Sequence, residues 1–217
     1  MKKILIIDGG PRRAMNTAAL CDAFAEGARA ASHDIDVERV RLYDLPAYKG
    51  CVSCLACKLK GRETGLCAVR DGLTDTLRAV NGADGLVIAS PIYFSEWTAM
   101  TRAFLERLAF PWLHYTDFSC TAPKKMPLAW IYTMNAPESM MPDIRAHLAI
   151  LEGAVARGLG DPAPAFVEAH ATVQVKDYSR YAMDGLQPDA HVAWRAAHWE
   201  DDLAKARAAG RAMALKA

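Results

Sequence analysis

Two stretches of the 217-residue sequence carry residue types whose spacing suits chemistry. The first, Gly9-Gly10-Pro11-Arg12-Arg13-Ala14-Met15-Asn16-Thr17, follows an apolar run and precedes a helical pattern. A glycine turn that delivers the chain to a helix N-terminus presents free backbone N–H groups and the positive end of the helix dipole, which together attract an anion. Asn16 and Thr17 are capping residue types and Arg12 is a planar fork of donors, so side chains and amides together suit a phosphate dianion. The plainer alternative is that Asn16 caps a helix while Arg12 and Arg13 are solvated. Neither G-x-G-x-x-G nor a G-K-[ST] ending is present, which argues against a dinucleotide fingerprint and against a Walker phosphate loop.

The second stretch is Cys51-x2-Cys54-x2-Cys57-x9-Cys67. Three thiols two residues apart can converge on one face of an iron-sulfur cluster, and a later fourth can close the site. The last interval is long for that purpose, and structural zinc prefers paired C-x2-C knuckles. No metal is favoured, and a [4Fe-4S] cluster on these four residues stands as the second reading behind reduced or redox-labile thiols. Lys58, Lys60 and Arg62 beside them are expected to lower the thiol pKa values or to form a solvated face. Cys21 and Cys120 are expected to be isolated and buried. The six histidines show no metal-ligand spacing, and no Ser-His-Asp pattern is present.

The elements that must position these groups follow from hydrophobic periodicity. Lys3 to Ile7, Gly85 to Ala89 and Pro127 to Tyr132 are short apolar runs ending in turn chemistry, the pattern of parallel strands buried on both faces. Asp34 to Tyr43 alternates, and Pro164 to Thr172 is a weaker candidate; both suit strands nearer the sheet edges. Helical spacing is found in Thr17 to Ala31, Gly72 to Val80, Glu96 to Ala109 and Met141 to Gly158. Asp189 to Ala214 adds a last helix with Trp194 and Trp199. Alternation of this kind implies an α/β doubly wound parallel sheet of five strands with helices on both faces, whose ligands sit beyond the carboxyl ends of the strands. The loops after the strands are therefore the place to look. Pro91 stiffens the exit from the run Gly85 to Ala89 and presents Ile92, Tyr93 and Phe94, an apolar edge suited to a flat ring. Thr133, Met134 and Asn135 follow the next.

Those loops carry a resemblance. Gly9 to Thr17 resembles the G-S-P-R-x-x-x-N-T phosphate loop of the flavodoxin-like NADPH-dependent FMN reductase family, Pro91 to Phe94 its P-I-Y-F flavin loop, and Thr133 to Asn135 its third flavin-contacting loop. Thr172 to Ser179 is similar to a stretch near the carboxyl end of some members. The likeness implies a flavodoxin-like fold, FMN as cofactor and NAD(P)H as reductant. It assigns flavin binding to Gly10, Arg12, Asn16, Thr17, Pro91, Ile92, Tyr93, Phe94, Thr133, Met134 and Asn135, with no catalytic residue identified. Gly10 stands where the family has serine and Met15 where a glycine is common, so one hydroxyl donor is lost and backbone amides must compensate. Iron-sulfur flavoproteins, relatives within this fold, place cysteines in the same loop as Cys51 to Cys67.

Composition bounds the rest. A net charge of +1 with basic residues scattered among acids leaves no footprint for nucleic acid or an anionic membrane, and no apolar stretch approaches the length of a membrane span. The N-terminal run is too short for a signal peptide, and clustered cysteines in a chain of this size suit a reducing compartment, so a cytoplasmic location is expected. One domain over 1–217 is expected, with a cysteine-rich insertion near 47–70 and an extra helix near 189–214 that offers a homodimer or homotetramer contact. The expected function is electron transfer from NAD(P)H through FMN to a small acceptor such as a quinone, flavin, nitro or azo compound. The alternative is an iron-sulfur flavoprotein electron carrier.

Overall fold

A computed structural model describes residues 1–61 and 64–217. Its strands are β1 (Lys2–Asp8), β2 (Ile35–Arg41), β3 (Gly85–Tyr93), β4 (Glu96–Trp97), β5 (Leu128–Thr133) and β6 (Ala165–Ala169). Its α-helices are α1 (Asn16–Ala31), α2 (Thr74–Gly82), α3 (Ala99–Ala109), α4 (Met141–Leu159) and α5 (Pro188–Lys216). Five strands run parallel in the order β2-β1-β3-β5-β6, and β4 pairs antiparallel with the end of β3. This is the doubly wound, flavodoxin-like arrangement expected, and its order reverses beside β1 and β3, where the crevice for a ligand opens.

Alternation along the strands builds two cores. Leu5, Ile7, Leu86, Ile88, Leu128, Trp130 and Tyr132 face α2, α3 and α4 through Leu77, Phe104, Leu108, Ile144 and Leu148. Ile4, Ile6, Val87, Ala89, Ile131 and Val167 face α1 and α5 through Leu20, Phe24, Ala28, Ala206 and Met213. Successive residues point to opposite faces, so strands covered on both sides read as unbroken apolar runs. α5 lies directly on α1. A Cβ on Gly27 would fall 2.0 Å from the carbonyl oxygen of Arg207, and one on Gly210 would fall 2.0 Å from that of Phe24. The two backbones therefore touch at glycines, and the N-terminal half of α5 is carried toward the loop after β1.

Two boundaries differ from expectation. The helix expected from Glu96 starts at Ala99, because Trp97 and Glu96 pair with Ile92 and Tyr93 and close a two-residue hairpin. Phe94 and Ser95 form its turn with φ of 52° and 62°, the left-handed pair of a type I′ turn that normally selects Asn-Gly. Nothing in the sequence signals it. Among the described residues between β2 and α2 the cysteine-bearing segment holds the short turns Leu42–Asp44 and Ala56–Lys58. Arg62, expected beside the thiols, lies outside the described residues.

Candidate functional site

The loops after β1, β3, β5 and β6 enclose a cavity of about 390 Å³ at the carboxyl edge of the sheet. Gly10, Arg12, Asn16 and Thr17 line one end, Pro91, Ile92 and Tyr93 a second side, and Thr133, Met134 and Asn135 a third. Phe94 does not line it. The hairpin turn holds that side chain fully in solvent.

The loop after β1 is fixed from beneath. Gly9 donates its N–H to the carbonyl of Ala89 at 2.8 Å, and its carbonyl accepts from the Thr98 hydroxyl at 3.0 Å. A Cβ at Gly9 would lie 1.8 Å from Thr101 Oγ1, so only glycine fits against the buried Ser90, Thr98 and Thr101 hydroxyls. Gly10 turns its N–H to Asp8 Oδ1 at 2.8 Å rather than to the cavity, contrary to the expectation that this amide replaces the missing serine. The cause is Asp8, a fully buried carboxylate at the end of β1 that sequence reasoning missed. It also accepts from Arg39 at 3.1 Å and Arg41 at 3.0 Å, which register places beside it on β2. Burial pushes the Asp8 carboxyl up, outweighing the Gly10 N–H and the two guanidinium groups.

Met15, not Asn16, occupies the N-cap of α1, and no side chain caps the helix. Asn16, Thr17 and Ala18 fill the first turn, where backbone N–H groups have no intrahelical acceptor, and no acidic residue is present there. The Thr17 hydroxyl meets that of Thr133 at 2.7 Å, joining the first loop to the third. Arg12 donates to the carbonyl of Gln174 and Asn16 Nδ2 to that of Val173 at 2.9 Å. Residues 171–178 thus strap across the cavity, held on the other side by Thr172, whose N–H and hydroxyl both reach the Met134 carbonyl. Thr172, Gln174, Val175 and Met183 join the lining; the resemblance at Thr172 to Ser179 was the only signal for the first three, and nothing in the sequence signals Met183. Asn135 Oδ1 is buried without a hydrogen-bond partner. A buried amide oxygen left unpaired costs about 1–3 kcal/mol, so it marks a place where a donor from a ligand belongs.

The cysteines form a different site. Cys51, Cys54, Cys57 and Cys67 all border one recess of about 10 Å³, room for roughly one water molecule. Cys54 is exposed, Cys57 is buried, and Cys67 Sγ accepts from Arg107 Nε at 3.0 Å. Among the described residues no group of three or more His, Cys, Asp or Glu side chains is arranged to hold a metal ion. Arg107 is fully buried and makes paired bonds to Asp71 at 2.7 and 3.1 Å, with further bonds to the Lys49 and Val69 carbonyls. Burial acts against the Asp71 charge, yet the Arg107 hydrogen bonds and charge hold that carboxyl below its ordinary value. The Lys58 charge acts to lower the Cys57 thiol, but burial outweighs it and pushes that thiol up. Lys58 donates to the carbonyls of Phe110 at 2.6 Å and Pro111 at 3.2 Å. Lys60 is exposed. Cys21 is buried as expected, whereas Cys120 is half-buried. Phe110 to Tyr115 packs beside this region and does not line the larger cavity.

Known proteins resemble this chain at two levels. Over 105 residues it is 29% identical to an iron-sulfur flavoprotein of Archaeoglobus fulgidus, covering 48% of each chain. It is 31% identical to one of Methanocaldococcus jannaschii, covering 48% of this chain and 51% of that one. The chain therefore spans about half the length of the curated relatives it matches. Among solved structures, an NAD(P)H:quinone oxidoreductase from Methanothermobacter marburgensis superposes with a TM-score of 0.65 at 16% identity, covering 97% of this chain and 96% of that one. An FMN-dependent NADH-azoreductase of Bacillus anthracis in complex with FMN gives 0.59 at 16% identity, covering 96% and 100%. At such identities these two show the shared fold. The model of the family described as NADPH-dependent FMN reductase matches residues 2–158, through β1 and the loops after β3 and β5, and the chain belongs to that family.

Proposed function

We propose that the cavity binds FMN and that the protein is an NAD(P)H-dependent oxidoreductase passing electrons to a small acceptor such as a quinone, flavin, nitro or azo compound. One observation carries the reading: an uncapped helix start without acidic residues and Asn135, whose buried amide oxygen has no partner, line the same cavity. The first suits a phosphate dianion, the second a ring N–H, and the volume falls within the range of cofactor pockets. The donor set therefore fits the group.

In this assignment the first-turn amides of α1, Thr17 and Arg12 hold the phosphate, Pro91, Ile92 and Tyr93 lie along the ring edge, and Thr133 to Asn135 meet its polar side. When bound, FMN supplies hydride acceptance from NAD(P)H and onward electron transfer. The chain's own part is to orient the ring, to keep one edge apolar and to complete the hydrogen bonds that tune it. No protein acid or base is assigned. The reading takes the chain as one flavin-binding domain, acting in the cytoplasm as a homodimer or homotetramer. Six unpaired cysteines support the reducing location, and among the described residues no helix is long and apolar enough to cross a membrane. Purified protein reconstituted with FMN should show flavin absorbance and oxidise NAD(P)H steadily with a quinone; absence of flavin uptake would refute the assignment.

A cluster on Cys51, Cys54, Cys57 and Cys67 does not fit this arrangement. Among the described residues the four thiols do not converge as a metal-binding group: the recess all four border holds about one water, only Cys57 and Cys67 reach the neighbouring cavity of about 490 Å³, and Arg107 donates to Cys67.

A further inference from the structure

Asn16 borders the cavity, yet its side chain is not free to turn. Nδ2 donates to the Val173 carbonyl at 2.9 Å, and Oδ1 accepts from Arg195 Nη1 at 2.9 Å. A carbonyl on one side and a donor-only guanidinium on the other admit a single orientation of the amide. Nδ2 carries two hydrogens, so one remains for a ligand after Val173 has taken its share.

Arg195 comes from α5, the helix that the glycine contact with α1 brings to this end of the sheet. Its guanidinium lies over the Trp199 ring at 4.0 Å from the centroid, and it forms no ion pair among the described residues. A half-buried cation without a contacting carboxylate thus stands behind a helix start that has no acidic residue of its own. Arg195 lines a separate recess with Met15, Asn16 and Trp199, so Asn16 is the residue that links it to the cavity.

We propose that Arg195 is a positioning residue for the phosphate monoester of the flavin: by gripping Asn16 Oδ1 it aims the free amide N–H of Asn16 at the phosphate. The inference rests on the flavin reading of the cavity. It extends the site to a helix beyond the matched family segment, which ends at residue 158.

The test is a double-mutant cycle on FMN affinity, read by quenching of flavin fluorescence with flavin-free wild type, Asn16→Ala, Arg195→Met and Asn16→Ala/Arg195→Met. Each single change should raise Kd about tenfold, the loss typical of a charge-assisted hydrogen bond. The double variant should match Asn16→Ala within about twofold, because Arg195 acts through Asn16. Arg195→Lys, which keeps a charged donor, should recover most of the loss. Unchanged affinity in Arg195→Met, additive losses in the double variant, or a lysine no better than methionine would each overturn the positioning role. Wild type that takes up no FMN would instead overturn the flavin reading itself. Should Arg195→Met fail to fold, the same cycle run with Arg195→Lys and Arg195→Gln decides the question, since a purely structural role leaves their losses additive with Asn16→Ala.

Discussion

The cavity after β1 and the recess among the cysteines invite the same interest from residue types, and they differ in whether those residues still have bonding capacity to offer. Around the recess, Arg107 satisfies Asp71, Cys67 and two backbone carbonyls at once, leaving room for about one water. Around the cavity, α1 begins uncapped, Asn135 Oδ1 has no partner, and the space measures about 390 Å³. Bonds between segments hold both regions together, but only one leaves its polar groups waiting for something else. A cluster of reactive side chains is thus a weaker sign of a ligand site than a few unsatisfied ones beside open volume.

The contrast is most sharply broken by Arg107→Ala. Removing the guanidinium leaves Asp71 without its partner in a largely buried setting and should cost about 3 kcal/mol. Thermal unfolding should fall by roughly 10 °C, while FMN affinity of the folded fraction stays unchanged; a variant that binds FMN poorly yet unfolds normally would show that the recess belongs to the functional site. Gly9→Ala should be nearly as disruptive from the opposite side, costing about 2 kcal/mol through overlap with Thr101 Oγ1. Here the loss should extend to FMN affinity, because the displaced loop carries the phosphate amides. Equal affinity in that variant would mean the loop after β1 does not meet the ligand.

Arg12→Ala should weaken FMN roughly tenfold without altering unfolding, as befits an exposed side chain whose bond to Gln174 only steadies the strap. Full affinity would assign the phosphate to backbone amides alone. Cys54→Ser should change stability by less than about 0.5 kcal/mol and leave NAD(P)H oxidation intact, since that thiol is exposed. Loss of a visible chromophore in Cys54→Ser would restore the cluster reading.

The two regions also oppose each other in their response to acid. Asp71 has its carboxyl held below the ordinary value, so its stabilisation is present above the usual carboxylate range and lost as pH falls through the folded value. Asp8 is shifted upward by burial, so its contribution is full below the ordinary value and declines as pH rises toward the folded one. Stability measured across the acid range should therefore lose slope of opposite sign in Asp71→Asn and Asp8→Asn. A common sign would contradict the burial and pairing described for one of them.

Much of this was readable from residues because it depends on local pattern. Apolar runs such as Lys3 to Ile7 and Pro127 to Tyr132 lie within β1 and overlap β5 almost entirely, and the helical spacing of Met141 to Gly158 matches α4. The loops after β1, β3 and β5 bring every expected site residue except Phe94 to the cavity, whose lining Thr172, Gln174, Val175 and Met183 complete. What escaped was set by tertiary partners. The Phe94-Ser95 turn has no Asn-Gly signal, and β4 shortens the following helix only because it finds β3. Lys58 looks like a thiol activator in sequence but caps carbonyls after α3. Arg195 lies 179 positions from Asn16, and no periodicity connects them.

Equilibrium titration of the flavin-free protein with FMN and with riboflavin tests the central claim most directly, because the two ligands differ only in the phosphate. FMN should bind about a hundredfold more tightly, corresponding to roughly 3 kcal/mol of charge-assisted hydrogen bonding at the start of α1. Equal affinity for the two would contradict the assignment of the loop after β1 to the phosphate, and binding of neither would contradict the flavin site as a whole.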